Sequence, residues 1–428
     1  MAALAGRTTR EAARSLRRLW SLPGAGVVTG ASDDDPSGIA TYSVAGAQTG
    51  YSLLWTSLVS LPLNIGIQEI CARIGLVTGG GLASVLRRHY SRRLLIVLVS
   101  LLFVANTVNI GADIAAVAAG VDLLTGIPTG AMVVPVAVGV SMTEVLVPYR
   151  VFATYLKFLT LVLFAYVADA FVAGPDWGAA IRATFVPRVR FDASFVTTLV
   201  AILGTTISPY LFFWETSEEV EEMHRRGIEP GDEPELRRVQ IDTSIGMLLA
   251  NVVFYFIVLT TAATLYPAGI RHIATAREAA EALRPLAGDR ATILFAAGLV
   301  GTGLLAIPVL AGSAAYAIAE VFDWREGLES RPREAPQFYA VIAIATIVGM
   351  VIALSGVGAI RALFVAAVVN GVISPVLIAA IVVVSNDERV LGPHRNGIVS
   401  NVLGVATVVV MGVAALVMIG IFVVDVFG

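Results

Sequence analysis

Apolar residues run through most of the chain in long stretches that short polar segments separate. Eleven of these windows approach the 20 or so residues that an α-helix needs to cross a bilayer. The windows are 20–47, 51–75, 94–124, 127–147, 151–173, 194–222, 240–266, 291–320, 337–355, 359–384 and 398–427. The pattern therefore predicts an all-α polytopic membrane protein with about 11 transmembrane helices.

The first window is interrupted by charge and by proline. Asp33, Asp34 and Asp35 are followed directly by Pro36, and Gly38 comes two residues later. Proline removes a backbone donor and clashes with the preceding turn, so the helix is predicted to break here. Broken backbone at membrane depth occurs where it lines a cavity, and a carboxylate beside unwound carbonyl groups suits a cation. The alternative is a loop between two short interfacial helices whose aspartates are solvated.

The sixth window has a second interruption, in the sequence Gly204-Thr205-Thr206-Ile207-Ser208-Pro209-Tyr210. Alone, it is also consistent with a simple proline kink. Breaks at matching positions in the first and sixth segments favour an inverted repeat of five plus five helices. In transporters of that design the substrate site lies between the two breaks, near the bilayer midplane.

Three further polar residues lie inside predicted spans. Asp113 is deep in the third span, and Asn109 precedes it by one helical turn, so the two share a face. Asn370 lies in the tenth span. Each residue could contribute to a site or make a hydrogen bond between helices.

Composition agrees with a membrane protein. Hydrophobic residues make up 57% of the chain and charged residues 14%, with a mean hydropathy of +0.82, whereas soluble domains carry about 25% charge. The net charge of −3 gives no indication of nucleic-acid binding. The single cysteine, Cys71, excludes an internal disulfide and a cysteine-based metal cluster. The four histidines fall between the predicted spans, which leaves none to relay protons inside the bundle.

Most of the 29 Lys and Arg residues fall on one side of the eleven predicted spans. The positive-inside rule then places the N-terminus in the cytoplasm and the C-terminus outside, in the plasma (inner) membrane. The predicted parts are a cytoplasmic amphipathic N-terminus (1–19), a first five-helix repeat (20–173), an extracellular connection (174–193), a second repeat (194–384), and a cytoplasmic loop with the eleventh helix (385–428). We interpret 222–239 as a charged internal loop and 268–290 as an external amphipathic helix.

Asp35-Pro36-Ser37-Gly38 resembles the Asp-Pro-Gly-Asn motif of the Nramp metal-ion transporters. The segment 204–210 is similar to the sixth-helix motif of that family, which reads Met-Pro-His after Gly-Ala-Thr-Val. The resemblance covers nearly the whole chain. It implies a LeuT-like fold, with helices 1 and 6 broken, and transport by alternating access.

The chain departs from the Nramp pattern at four places. Gly38 stands at the position of the motif asparagine, Ser208 at that of the metal-binding methionine, and Tyr210 at that of the histidine. The acidic pair of the third helix is reduced to Asp113, with Ile110 at the other place. These substitutions resemble the Nramp-related magnesium transporter branch.

The resemblance implies that divalent cations, Mg²⁺ and Mn²⁺, are substrates taken into the cytoplasm, that no cofactor is needed, and that protons need not be coupled. The implied metal site consists of Asp35, Gly38, Thr205, Ser208, Asp113 and Asn370. Asp33 and Asp34 would line the approach. Serine in place of a soft sulfur leaves only oxygen donors, and glycine in place of asparagine is expected to widen the site, as suits a partly hydrated Mg²⁺.

Three other functions remain open at this point. The first is a proton-coupled Mn²⁺/Fe²⁺ transporter of the Nramp type. The second is a Na⁺-coupled amino-acid symporter on the same fold, although three carboxylates at the first break are unfavourable for a substrate carboxylate. The third is a membrane sensor or an intramembrane enzyme. The predicted spans contain no paired histidines and no serine–histidine arrangement that would support an enzyme.

Overall fold

The computed structural model describes residues 25–147, 161–328 and 330–427, and within these residues it is helical with no β-strand. Fifteen helices of eight residues or more build it. They are α1 (Ala25–Asp33), α2 (Pro36–Thr49), α3 (Trp55–Thr78), α4 (Leu82–His89), α5 (Arg92–Thr125), α6 (Thr129–Leu146), α7 (Ala165–Val172), α8 (Trp177–Phe185), α9 (Ala193–Thr206), α10 (Pro209–Arg226), α11 (Glu233–Thr264), α12 (Ala291–Phe322), α13 (Pro336–Ala353), α14 (Ala359–Ser385) and α15 (Ile398–Phe427).

Both predicted breaks are present. The first separates α1 from α2, with Asp35 at the N-cap of α2 and Pro36 at its first position. The second separates α9 from α10, with Ser208 at the N-cap and Pro209 at the first position. Proline is favoured at the first helical position because its missing N–H is one that the helix would leave unpaired anyway. Within the described residues, the all-α architecture with two broken helices is thus confirmed.

Fewer helices satisfy the span criterion than the eleven predicted. Eight described helical segments are long and apolar enough to cross a membrane, and α3 together with α4, bent by 78°, gives a ninth. The first broken segment is divided into helices of 9 and 14 residues, each too short to count alone. The fifth predicted span falls partly on residues 148–160, and the amphipathic N-terminus on residues 1–19, both outside the described residues.

Two predicted connections differ from the structure. The segment 222–239 is mostly helical, because α10 continues to Arg226 and α11 already begins at Glu233. Ion pairs stabilise these charged ends: Arg226 contacts Glu235 at 2.5 Å, and Arg238 contacts Glu222 at 2.9 Å. The segment 268–290 is not one amphipathic helix but several short helical turns, starting at Ala276 with a Thr275–Glu278 capping box.

The broken helices lie in the interior and pack closely on continuous ones. α1 packs along α11 through two glycines. A Cβ at Gly26 would lie 2.5 Å from the backbone nitrogen of Thr243, and one at Gly30 would overlap the backbone of Gly246. α9 packs on α14 in the same manner, through Gly204. These contacts bring backbone against backbone in both halves of the fold, and they anchor each broken helix to a continuous one.

Candidate metal-binding site

The carboxylate of Asp35 is held by three donors from two helices. Its Oδ1 accepts hydrogen bonds from the backbone N–H of Gly38 at 2.8 Å and from Ser37 Oγ at 2.6 Å. Its Oδ2 accepts one from Asn109 Nδ2 on α5 at 3.0 Å. Asp35 is 1% exposed. The helix cap fixes one oxygen, so the second is the one turned toward the rest of the bundle.

Asn109 connects Asp35 to Asp113. The same Nδ2 that donates to Asp35 also donates to Asp113 Oδ2, at 3.2 Å. The carboxylates of α2 and α5 are therefore brought to the two sides of one amide group. The sequence places Asn109 on the face of Asp113, but it does not show that this amide is shared with Asp35.

The two breaks meet directly, and hydroxyl groups join them. Hydrogen bonds join Ser37 Oγ with Thr205 Oγ1 at 2.9 Å and Tyr42 OH with Thr206 Oγ1 at 3.0 Å, and Tyr210 OH donates to the Ser32 carbonyl at 2.8 Å. Thr205, a predicted site residue, is thus one hydrogen bond from a partner of Asp35. Tyr42 and Thr206 were not among the predicted site residues, and only their hydroxyl groups could have suggested them.

Hydroxyl groups also satisfy the carbonyls at the second break. Ser208 Oγ lies 2.9 Å from the Gly204 carbonyl and 2.8 Å from the Thr205 carbonyl. Ser374 Oγ on α14 lies 2.9 Å from the Ile207 carbonyl. A hydroxyl that donates in this way still has lone pairs available for a cation. The break therefore presents hard oxygen donors.

The structure places Asn370 and Gly38 differently from the other predicted site residues. Asn370 lies one turn before Ser374 and is 1% exposed, and its Nδ2 has no hydrogen-bond partner among the residues described. Among the described residues, no hydrogen bond joins Asn370 to Asp35. At Gly38, a Cβ would lie 3.2 Å from Tyr42 Cε2. A Cβ at this position would therefore be in tight contact with the ring of Tyr42.

The site is negative and closed. Asp33, Asp34, Asp35 and Asp113 are each at most 5% exposed. None of the four takes part in a salt bridge within the described ranges. Likewise, no three His, Cys, Asp or Glu side chains described here are arranged to hold a metal ion together. A cation at this place would be bound by one or two carboxylates, with hydroxyl, carbonyl and amide oxygens or water supplying the remaining donors.

Comparisons with known proteins identify the family of the chain. The Nramp family model, described as natural resistance-associated macrophage protein-like, matches residues 26–420. The divalent metal cation transporter MntH of Mesorhizobium japonicum is 28% identical over 67% of this chain, and the match spans 64% of that relative. MntH of Verminephrobacter eiseniae is 26% identical, covering 90% of this chain and 85% of its own.

Two groups of solved structures have a similar fold. A manganese transporter of Eremococcus coleocola superposes with a TM-score of 0.73 at 19% identity, over 93% of this chain and 85% of its own. Mhp1, a nucleobase-cation-symport-1 family transporter, superposes with a TM-score of 0.54 at 14% identity, over 94% and 93%. At such identities the likeness concerns the fold alone.

Proposed function

The chain belongs to the Nramp family, and on this premise we propose that it moves divalent cations, Mg²⁺ and Mn²⁺, into the cytoplasm by alternating access. It is a multi-pass membrane protein and not an enzyme. The observation that carries the proposal is the buried Asp35 carboxylate at the meeting point of two broken helices. A carboxylate at such a break, with unpaired charge and oxygen donors around it, favours a cation.

The donor types favour Mg²⁺ as a substrate beside Mn²⁺. The groups at the breaks are the carboxylate of Asp35, the hydroxyls of Ser37, Thr205 and Ser208, and backbone carbonyls. All of these are hard oxygen ligands, and neither break motif contains methionine. Mg²⁺ keeps several of its waters and needs few direct protein ligands. A site with one central carboxylate and a surrounding set of hydroxyls fits such an ion.

Uptake without protons is energetically sufficient. A divalent ion that moves inward across about 100 mV gains roughly 4.6 kcal/mol, twice the value for a single charge. This corresponds to about three decades of accumulation, at about 1.4 kcal/mol per decade. We therefore propose uniport driven by the membrane potential.

Proton-coupled Mn²⁺ transport is the second candidate. The solved neighbour from Eremococcus coleocola is named a manganese transporter, and the curated relatives are named divalent metal cation transporters. Asp113 supports this candidate too, because it is a buried carboxylate one amide away from Asp35 and could exchange a proton as the metal binds. A Na⁺-coupled amino-acid symporter is less compatible with the site, since three buried aspartates at the first break would repel a substrate carboxylate.

Flux measurements in proteoliposomes distinguish these candidates. The vesicles contain a Mg²⁺-sensitive dye and a pH dye, and a potential that is negative inside is imposed. We expect Mg²⁺ and Mn²⁺ to enter without acidification. Acidification in proportion to metal entry would favour the proton-coupled alternative, and absence of Mg²⁺ entry would overturn Mg²⁺ as a substrate.

A matched pair of cap variants tests the role of Asp35. Asp35→Ala is expected to abolish flux, because it removes the central carboxylate. Asp176→Ala removes an aspartate with the same N-cap geometry, whose Oδ1 accepts from the Ala179 N–H at 2.9 Å, but it lies on the outer connection. That variant is expected to retain flux. Flux that persists in Asp35→Ala would contradict the proposed site.

We also propose the orientation that the basic residues predict, with the N-terminus in the cytoplasm and the C-terminus outside, in the plasma membrane. The curated relatives of bacterial origin are consistent with such a location. Reporter fusions at the C-terminus provide the test. A reporter that is active only outside the cytoplasm is expected to be active in this fusion, and an inactive one would reverse the assignment.

A further inference from the structure

A second group of buried polar side chains lies beside Asp35, where α1, α3 and α11 meet. Asn64 on α3 connects these helices. Its Nδ2 lies 3.4 Å from Asp33 Oδ2, at the end of α1, and 3.1 Å from the sulfur of Met247 on α11. Asn64 is 2% exposed and Asp33 3%. The amide nitrogen of Asn64 therefore has hydrogen-bond partners, whereas its carbonyl oxygen has none among the described residues.

Several polar atoms of this group have no partner. Within the described residues, Asp33 Oδ1, Asn64 Oδ1 and both amide atoms of Gln68 make no hydrogen bond. Gln68 is fully buried and follows Asn64 by one helical turn, so it lies on the same face of α3. Buried polar groups in proteins are nearly always paired, because an unpaired one loses its bonds to water without replacement. Asp33, Asn64 and Gln68 therefore each offer an unused oxygen to a ligand or to water.

The charge around the group identifies the kind of ligand. Asp34, next to Asp33, also has an unpartnered and buried Oδ1. One turn nearer the predicted cytoplasmic end, Glu215 on α10 is fully buried and accepts hydrogen bonds from Thr29 and from Thr243 Oγ1, the latter at 2.9 Å. Carboxylates thus continue from Asp35 toward that end, and they favour a cation over an anion.

We propose that Asp33, Asn64 and Gln68 form a second cation site, which the transported ion occupies after it leaves Asp35 on the way to the cytoplasm. The inference rests on the proposed function. One carboxylate oxygen and two amide oxygens are hard donors, and this small number of protein ligands suits a divalent ion that keeps part of its water shell. The site is distinct from Asp35, whose three recorded donors are Ser37, Gly38 and Asn109.

Binding of Mn²⁺ to the purified full-length protein tests the proposal, with free Mn²⁺ followed by electron paramagnetic resonance. We expect two ions in the wild type, one in Asp35→Ala, and none in Asp35→Ala combined with Gln68→Leu. Gln68→Glu in the Asp35→Ala background is expected to tighten the remaining ion by about tenfold or more, because it adds a charge; tenfold corresponds to about 1.4 kcal/mol. Gln68→Leu should remove the ion and Gln68→Glu should bind it more tightly, so the second variant still tests the site if the first fails to fold.

Gln48→Leu is the matched control, because Gln48 Oε1 already accepts hydrogen bonds from Thr198 at 3.1 Å and Ser194 at 3.3 Å on α9, away from the group. In the Asp35→Ala background it should leave the ion in place. A wild type that binds one ion, lost in Asp35→Ala, would overturn the second site and show that its polar atoms hold only water. Two bound ions without flux in proteoliposomes would overturn the proposed function and leave the second site standing.

Discussion

Replacement of Asn109 by alanine is the sharpest test of how Asp35 is positioned. The amide donates to Asp35 at 3.0 Å and to Asp113 at 3.2 Å. Both bonds go to carboxylates, and a hydrogen bond to a charged group contributes about 1.5–3 kcal/mol. Residues that orient a metal ligand typically change metal affinity by about 10–100-fold when they are removed. This range corresponds to about 1.4–2.8 kcal/mol, the loss of one such bond.

We therefore expect Asn109→Ala to raise the KM for Mg²⁺ uptake and the Kd for Mn²⁺ by about 10–100-fold. The measurements are flux in proteoliposomes and calorimetric titration of the purified protein. Asn106→Ala is the matched control. Asn106 lies on the same helix, is equally buried, and donates at 2.9 Å to the Leu310 carbonyl, with no bond to the site. It should lower the melting temperature without changing metal affinity.

The reasoning would be refuted by an Asn109→Ala protein whose KM and Kd stay within about threefold of wild type, less than the 1.4 kcal/mol that one tenfold step represents. It would equally be refuted by Asn106→Ala weakening metal binding as much as Asn109→Ala does. In that case the loss would reflect a general loosening of α5 and not the orientation of Asp35.

Three further outcomes are expected. Ser208→Met should strengthen Cd²⁺ and Mn²⁺ binding relative to Mg²⁺, since it introduces a soft ligand; unchanged calorimetric affinities would show that position 208 does not face the ion. Gly204→Ala should destabilise the protein by about 3 kcal/mol, the upper range for overpacking, because its Cβ would overlap the Ala367 carbonyl and the Gly371 nitrogen. In the control Gly139→Ala, the added Cβ meets no atom within 4 Å. Equal melting temperatures for the two variants would contradict the packing argument. Glu326 lies between α12 and α13, where burial and then repulsion from Glu320 and Glu221 raise its pKa from 4.5 to about 9. The folded protein therefore keeps a proton that the unfolded chain releases, and stability is lost as the pH rises from about 4.5 to about 9. Glu326→Gln should make the melting temperature less dependent on pH in this range. A pH dependence equal to that of the wild type would contradict the argument.

The two breaks could be predicted because local chemistry determines them. At Asp35-Pro36 and Ser208-Pro209, a residue able to cap a helix precedes a proline, so a new helix starts there. Proline alone is not sufficient. Pro62 and Pro308 lie inside continuous helices, where neighbouring helices accommodate the lost hydrogen bond. The matching positions of the two interruptions, more than either proline, indicated the fold.

The details of the site depend on residues that are far apart in the sequence. The amide bridge of Asn109 joins positions 74 residues apart, and the hydroxyl pair of Ser37 and Thr205 joins positions 168 apart. Hydropathy and motif spacing contain no information on such contacts.

The contact of α1 with α11 has a mechanical consequence. At Gly26 and Gly30 the backbone of α1 lies directly against the backbone of α11 at Thr243 and Gly246, with only the Thr243 hydroxyl beside it. At these two positions α1 has no side-chain rotamer that would have to change if the two helices separated and closed again. A methyl group at position 26 or 30 would overlap atoms of α11 and keep the two helices apart. Both positions therefore require glycine for this close contact.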